Sequence, residues 1–212
     1  MTEHVLPGTD IVVSDDGPTI DVTDLPRHGF GRKSALFWGV LVFIMIETTA
    51  LAIMFGSYLY VRGNFNEWPP SERLQVTPGI LTTVMMLGSC VPMQLSLKPC
   101  HEMALRPTRR LLVVGVALGF AACGLRAWEI ASIPFAWTDN AYASVLWTTY
   151  GMHTIELGAS VLETLVMAAV LYRGPLEEKH FEDVEVTALF WWFANLVWLP
   201  FAALFYVDGA LR

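Results

Sequence analysis

From Ala35 to the C-terminus the sequence is divided into five apolar runs, 35–61, 79–97, 111–133, 144–172 and 188–207, with most of the charge collected between them. A hydrocarbon core ~30 Å thick asks about 20 apolar residues of a helix that crosses it. Five such runs predict an all-α, polytopic membrane protein with five transmembrane helices in a bundle. The composition agrees: 54% of the 212 residues are hydrophobic and 16% charged, against about 45–50% and about 25% in an ordinary soluble domain.

The formal net charge of −7 comes mostly from acids in the N-terminal segment and around Glu177 to Glu185. That distribution excludes nucleic acid as a partner. Cys90, Cys100 and Cys123 show no metal-ligand spacing, and Cys90 and Cys123 fall inside apolar runs as small packing residues. No metal site is expected. Residues 1–33 are polar and rich in Asp, Thr, Gly and Pro, without the basic start, apolar run and small-residue cleavage site of a signal peptide. Such a tail is expected to be disordered alone and to be held against a cytoplasmic surface by a partner subunit, with residues 34–212 forming the membrane domain.

The fourth run carries a polar stripe. Thr149, His153, Glu156, Ser160 and Glu163 follow at intervals of 4, 3, 4 and 3, which puts them on one face of a 3.6-residue helix, with Leu157, Val161, Leu165, Val166 and Met167 turned elsewhere. An ionisable group at bilayer depth costs at least ~2.5 kcal/mol on insertion scales, so this face must look into a bundle. Glu47 sits near the middle of the first run, with Tyr58 about three turns further along the same face. In the third run Gly115, Gly119, Cys123 and Ala127 form a small-residue seam for close helix approach. Arg126 and Glu129, at i and i+3, are expected to pair on the helix surface or to do chemistry. The second run, with Thr82, Thr83, Ser89 and Gln94 as its mild polar residues, reads as a packing helix. In the fifth, Trp191, Asn195 and Trp198 share a face and Pro200 is expected to bend the helix. Trp68-Pro69-Pro70, between the first two runs, suits the boundary between headgroups and water.

Nine Lys and Arg residues (Arg27, Arg32, Lys33, Lys98, Arg106, Arg109, Arg110, Arg173, Lys179) fall on one side of the five crossings and three (Arg62, Arg73, Arg212) on the other. The positive-inside rule then puts the N-terminus in the cytoplasm and the C-terminus outside.

The order of motifs resembles subunit III of the haem-copper oxidases, the cytochrome c and quinol oxidase family, in its short five-helix form. Phe43-Ile-Met-Ile-Glu47 continuing to Tyr58-Leu-Tyr-Val-Arg62 is similar to the family segment with a membrane Glu and a Tyr-rich helix end. Trp68-Pro69-Pro70 is similar to its Trp-Pro-Pro loop, and Leu125-Arg-Ala-Trp-Glu129 to its Leu-Gln-Ala-aromatic-Glu. Gly151-Met-His153-Thr-Ile-Glu156 resembles Gly-aromatic-His-Gly-Leu-His, and Phe190-Trp191-Trp192-Phe193-Ala-Asn195-Leu-Val-Trp198 the closing Tyr-Trp-His-Phe-Val-Asp-Val-Val-Trp. The resemblance runs from Ala35 to Trp198. Glu47, Trp68, Glu129, His153, Trp191 and Trp198 match it; Arg126 for Gln, Glu156 for His, Trp192 for His and Asn195 for Asp depart from it.

The resemblance implies a non-catalytic subunit in the bacterial inner membrane, with no redox centre of its own. It implies a catalytic subunit I that holds haem and copper, subunit II as a further partner, phospholipid bound in a cleft between helix groups, and support of proton uptake by the catalytic subunit. Glu47, Glu129, His153, Glu156, Glu163 and Arg126 are the candidates for proton handling or for a buried polar network in which His153 bonds a carboxylate. Tyr58, Arg62, Trp68, Trp191, Asn195 and Trp198 are the candidates for lipid or interface contacts. Two other readings stand beside this one. The altered residues Glu156, Trp192 and Asn195 would suit an accessory subunit of a nitric oxide reductase. His153-x-x-Glu156 with Glu163 and Glu47 would suit a di-metal membrane enzyme, although such bundle sites draw a Glu-x-x-His pair from each of two helices.

Overall fold

The computed structural model describes residues 4–5, 11–14, 17–20, 34–66, 68–70, 72–174 and 178–208. The chain divides into two units, Met1–Ala35 and Leu36–Arg212. The first contains three short strands, β1 (His4–Val5), β2 (Ile11–Ser14) and β3 (Gly17–Ile20). They pair antiparallel in the order β1-β2-β3, with His4 opposite Val13 and Ser14 opposite Gly17. The polar composition predicted disorder here. The β-branched runs Ile11-Val12-Val13 and Thr19-Ile20 favour extended pairing instead.

The second unit is helical: α1 (Ala35–Gly63), α2 (Val76–His101), α3 (Leu105–Ala131), α4 (Ala141–Arg173), α5 (Glu178–Leu196) and α6 (Trp198–Ala202), closed by a π-helical turn, Ala203–Asp208. Five helices are long and apolar enough to cross a membrane, the fifth being the continuous stretch Glu182–Asp208. The fifth span is broken as Pro200 predicts. Proline lacks the N–H that would bond four residues back and crowds that carbonyl, and α5 ends at Leu196.

Helices α2, α3, α4 and α5 make the packed bundle. Helix α4 starts on an Asn140 cap whose side chain accepts from the Ala143 N–H at 2.9 Å. At its other end Arg109 donates from Nε to the Leu171 carbonyl at 2.6 Å and from Nη2 to the Gly174 carbonyl at 2.9 Å, where a cation complements free carbonyls.

On α3 the buried stripe runs Thr108, Leu112, Gly115, Gly119, Ala122, Arg126, Glu129. The seam read at strict four-residue spacing therefore holds only at Gly115 and Gly119; Cys123 is half-buried and Ala127 exposed. Each step of four overshoots the 3.6-residue turn by about 40°, so the seam walks off the packed face. Gly119 needs its missing side chain: a Cβ there would lie 2.6 Å from Trp191 Cη2 and 2.7 Å from Val161 Cγ2.

The mild polar residues of α2 do more than pack. Three indoles of the last span donate to them: Trp191 Nε1 to Ser89 Oγ at 3.0 Å, Trp192 Nε1 to Gln94 Oε1 at 3.0 Å, and Trp198 Nε1 to Thr83 Oγ1 at 3.1 Å. In lipid such bonds satisfy groups that have no water to turn to.

Helix α1 stands apart in character. Only Leu51 and Tyr58 are buried along it, while Leu36, Val42, Phe43, Met45 and Ile53 are among its exposed apolar residues.

Candidate functional site

The site is built where α3, α4 and the last span cross. Arg126, on the buried stripe of α3, is fully enclosed. Its Nη1 donates to Glu129 Oε2 at 2.9 Å and its Nη2 to His153 Nδ1 at 3.1 Å. Its guanidinium carbon lies 3.8 Å from the Trp198 ring centroid and 5.0 Å from that of Tyr150. An ion pair on the helix surface was one expectation; the pair exists, but at 0% and 2% side-chain exposure it is internal. The other helices supply what a surface pair would take from water.

His153 resolves its own tautomer. Arginine can only donate, so Nδ1 accepts; the Ala194 carbonyl can only accept, so Nε2–H donates to it at 2.9 Å. The imidazole is neutral and lies against Trp198, ring centroids 4.7 Å apart. The expected bond from His153 to a carboxylate is replaced by a bond to Arg126, which carries the contact to Glu129. Glu129 Oε1 accepts from the hydroxyls of Tyr150, at 3.0 Å, and Tyr206, and the two hydroxyls touch each other.

Tyr150 and Tyr206 escaped the sequence reading. Tyr150 stands three residues before His153 on the edge of the stripe and was legible in principle. Tyr206 was not, because it reaches the cluster through the π-helical turn. That turn places Phe205 and Tyr206, neighbours in sequence, both inside the protein, at 3% and 8% exposure.

A second cluster closes the end of α1. The Tyr58 hydroxyl lies 2.9 Å from the Leu204 carbonyl and 3.2 Å from Asp208 Oδ2, donating to one of them, and accepts from Trp68 Nε1 at 3.2 Å. Trp68 stands edge-on to Tyr58 and to Tyr142. Arg62 pairs with Asp208 at 2.6 Å. Trp68, read as a boundary residue, is thus buried at 8% exposure. Tyr58, Trp191, Asn195 and Trp198 are also buried within the chain, so these side chains meet protein and not lipid. Each carries a polar atom that needs a partner at depth; other elements provide one for Tyr58, Trp191 and Trp198, whereas Asn195 bonds its own helix and its Oδ1 has no partner. Asn195 Nδ2 donates to the Trp191 carbonyl at 2.6 Å. Of this group only Arg62 remains partly exposed.

The stripe on α4 divides. Thr149 and Ser160 bond their own helix, to the carbonyls of Val145 and Leu157. Glu163, half-buried, accepts from Thr187 Oγ1 of α5 at 3.3 Å. Leu157, Val161 and Met167, expected to turn elsewhere, are buried as well, while Leu165 and Val166 are exposed. Helix α4 is central, packed against both α3 and α5. Glu156 joins none of the bonds above. It lines a cavity of about 200 Å³ with Glu47 of α1 and Phe190 of α5. Tyr58, although on the same helix as Glu47, belongs to the other cluster.

Among the described residues there is no group of three or more His, Cys, Asp or Glu placed to hold a metal ion. His153 has both nitrogens engaged and Glu163 faces α5, so the four residues of the di-metal reading are not brought together.

Five helices able to span a membrane, three of them joined by a buried arginine–carboxylate–tyrosine–histidine network, define a polytopic helical membrane protein. The family model for cytochrome c oxidase subunit III matches residues 19–210, and the chain belongs to that family, a haem-copper oxidase subunit III. It is similar to cytochrome c oxidase subunit 3 of Thermostichus vulcanus, at 20% identity over 80% of this chain and 85% of the relative. It is also similar to cytochrome bo(3) ubiquinol oxidase subunit 3 of Pseudomonas aeruginosa, at 25% identity over 87% and 90%. A third relative, cytochrome c oxidase subunit 3 of Drosophila yakuba, is 24% identical over 81% and 69%. A subunit III is one part of a multi-subunit oxidase complex.

Proposed function

We propose that this chain works by contact: it holds the catalytic subunit I of a terminal oxidase, with subunit II beside it, in a stable assembly in the bacterial inner membrane, positions phospholipid, and supports proton uptake by subunit I. The observation that carries the reading is the use made of Arg126, Glu129, His153, Tyr150 and Tyr206. All five bond one another or the backbone across three elements. Arg126 Nε is the one buried donor of the network without a partner; the other bonds specify one helix arrangement, and losing them would destabilise it. Two of the four residues that depart from the family pattern are absorbed into packing: Arg126 is the centre of the network and Trp192 is bonded to Gln94.

Lipid placement is supported by the opening beside α1. Helix α1 is pinned at its Tyr58 end, and the cavity at Glu47 is walled by the exposed Phe43 and Ile155. An acyl chain fits an apolar wall of this kind. The excess of Lys and Arg on one side of the crossings supports a cytoplasmic N-terminus and a C-terminus outside. The relatives named above are subunits of cytochrome c and ubiquinol oxidases, which supports an oxidase partner over a nitric oxide reductase.

The test is purification of the native complex in mild detergent through a tag on this chain, with a reduced-minus-oxidised optical spectrum and oxygen and nitric oxide consumption on one sample. Co-purifying haem with cyanide-sensitive oxygen uptake is the expected result. Nitric oxide turnover without oxygen uptake, or absence of haem, would overturn the reading.

A further inference from the structure

Of the five stripe residues on α4, Glu156 is the one without a hydrogen bond. Both its carboxylate oxygens are buried and have no partner, and the residue is 6% exposed. The cavity it lines holds a second carboxylate, Glu47, and is otherwise walled by side chains such as Phe43, Ile155 and Phe190. Both glutamates lie close to the midpoints of their helices, Ala35–Gly63 and Ala141–Arg173. Their depth is therefore similar and far from either membrane surface.

Among the described residues, no wall of this cavity supplies a cation. Helix α1 carries no other charged side chain before Arg62. On α4 the ionisable neighbours are His153, held by Arg126 and the Ala194 carbonyl, and Glu163, held by Thr187 of α5. Helix α5 presents Phe190. Two ionised carboxylates in one apolar cavity would repel with little screening, and neither would have a donor. Carboxylates that share a site do not both ionise.

We propose that Glu47 and Glu156 act as one unit that holds a proton at the middle of the membrane, an acid–carboxylate pair across the gap between α1 and α4. The acid O–H donates to the facing carboxylate, so one proton satisfies both side chains and the cavity carries a single charge. The pair also ties the middle of α1 to α4, on a helix whose buried residues are otherwise only Leu51 and Tyr58. The proposal deepens the proton-handling part of the function above and rests on it for its use in the complex, while the pair itself needs only this chain.

The experiment is infrared spectroscopy of the purified complex in H₂O and D₂O, comparing the unaltered chain with Glu47→Gln, Glu156→Gln and the double variant. The unaltered complex is expected to show a buried carboxylic C=O stretch that shifts in D₂O. Each single variant should lose that signal as completely as the double variant does, because the new amide donates to the remaining carboxylate and removes its need for a proton. A signal that survives in either single variant, or that falls by half in each, would overturn the pair. Where Glu156→Gln does not assemble, Glu156→Asp keeps the acid and alters its reach. A shifted band is then expected, and an unshifted one would sink the idea. The optical spectrum and oxygen uptake of the same samples report the oxidase reading separately, so failure of one is distinguishable from failure of the other.

Discussion

At the scale of the residue, Arg126 is the side chain on which most contacts converge. It is bonded to Glu129 and His153 and stacked on Trp198. Replacing it by Met leaves the Glu129 carboxylate enclosed without its cation, which in buried pairs costs about 3–5 kcal/mol. A loss of that order is expected in thermal or denaturant unfolding of the detergent-solubilised complex, with Glu129→Gln, which keeps neutral hydrogen bonding, costing less. Gly119 offers a steric test. Gly119→Ala meets Trp191 and Val161, and should destabilise by ~1–3 kcal/mol. Gly124→Ala on the same helix meets nothing within 4 Å and should be neutral or slightly stabilising, since alanine is the better helix former. Sequence reading found Arg126, Glu129 and His153 as individuals. It could not say that they touch, because the 27 residues from Arg126 to His153 include the turn that sets one helix against the other.

At the scale of the element, α1 and the last span show two ways of holding a membrane helix. The last span is fastened along its length by indole bonds to α2, each worth about 0.6 kcal/mol on the average for such contacts in membranes. Trp191→Phe loses the bond to Ser89 and also the ring atoms packed against Gly119, so it should lower stability by more than one such bond, about 1–2 kcal/mol in the same unfolding assay. Helix α1 is fastened at one end, by Tyr58, Trp68 and the Arg62–Asp208 pair. Tyr58→Phe removes the hydroxyl that three groups share. Its expected effect is local: faster hydrogen exchange in residues near the end of α1, with α3 unchanged, measured by mass spectrometry. The five spans were legible because the hydrophobic demand of a bilayer is written in length and composition alone. The π-helical turn was not, since nothing in Ala203 to Asp208 announces the extra residue that brings Tyr206 to Glu129.

At the scale of the whole molecule, the membrane unit is a packed group of four helices with a fifth leaning on it over a cavity. Such a shape depends on what fills the gap. Delipidation of the complex with excess detergent should lower its unfolding temperature and loosen α1, and restoring phospholipid should reverse both; a chain unaffected by delipidation would count against lipid as a filler of the cavity. The fold class follows from the same physics that made the apolar runs visible. Residues 1–20 went the other way, where a polar composition read as disorder contains three paired strands, because short β-branched runs can pair without a large apolar core.

The sequence by itself determined the number of crossings, the faces that must be hidden from lipid and the chemical types that lie on them. Those properties are set by local composition and by a fixed helical period. The tertiary structure alone decided which hidden groups meet: that Arg126 reaches His153 and not solvent, that Trp191 and Trp198 turn inward, and that Glu156 faces Glu47 across a cavity. Partnership between helices depends on crossing angle, on drift of a seam around a 3.6-residue turn, and on one π turn near the chain's end. None of these is a property of any single stretch.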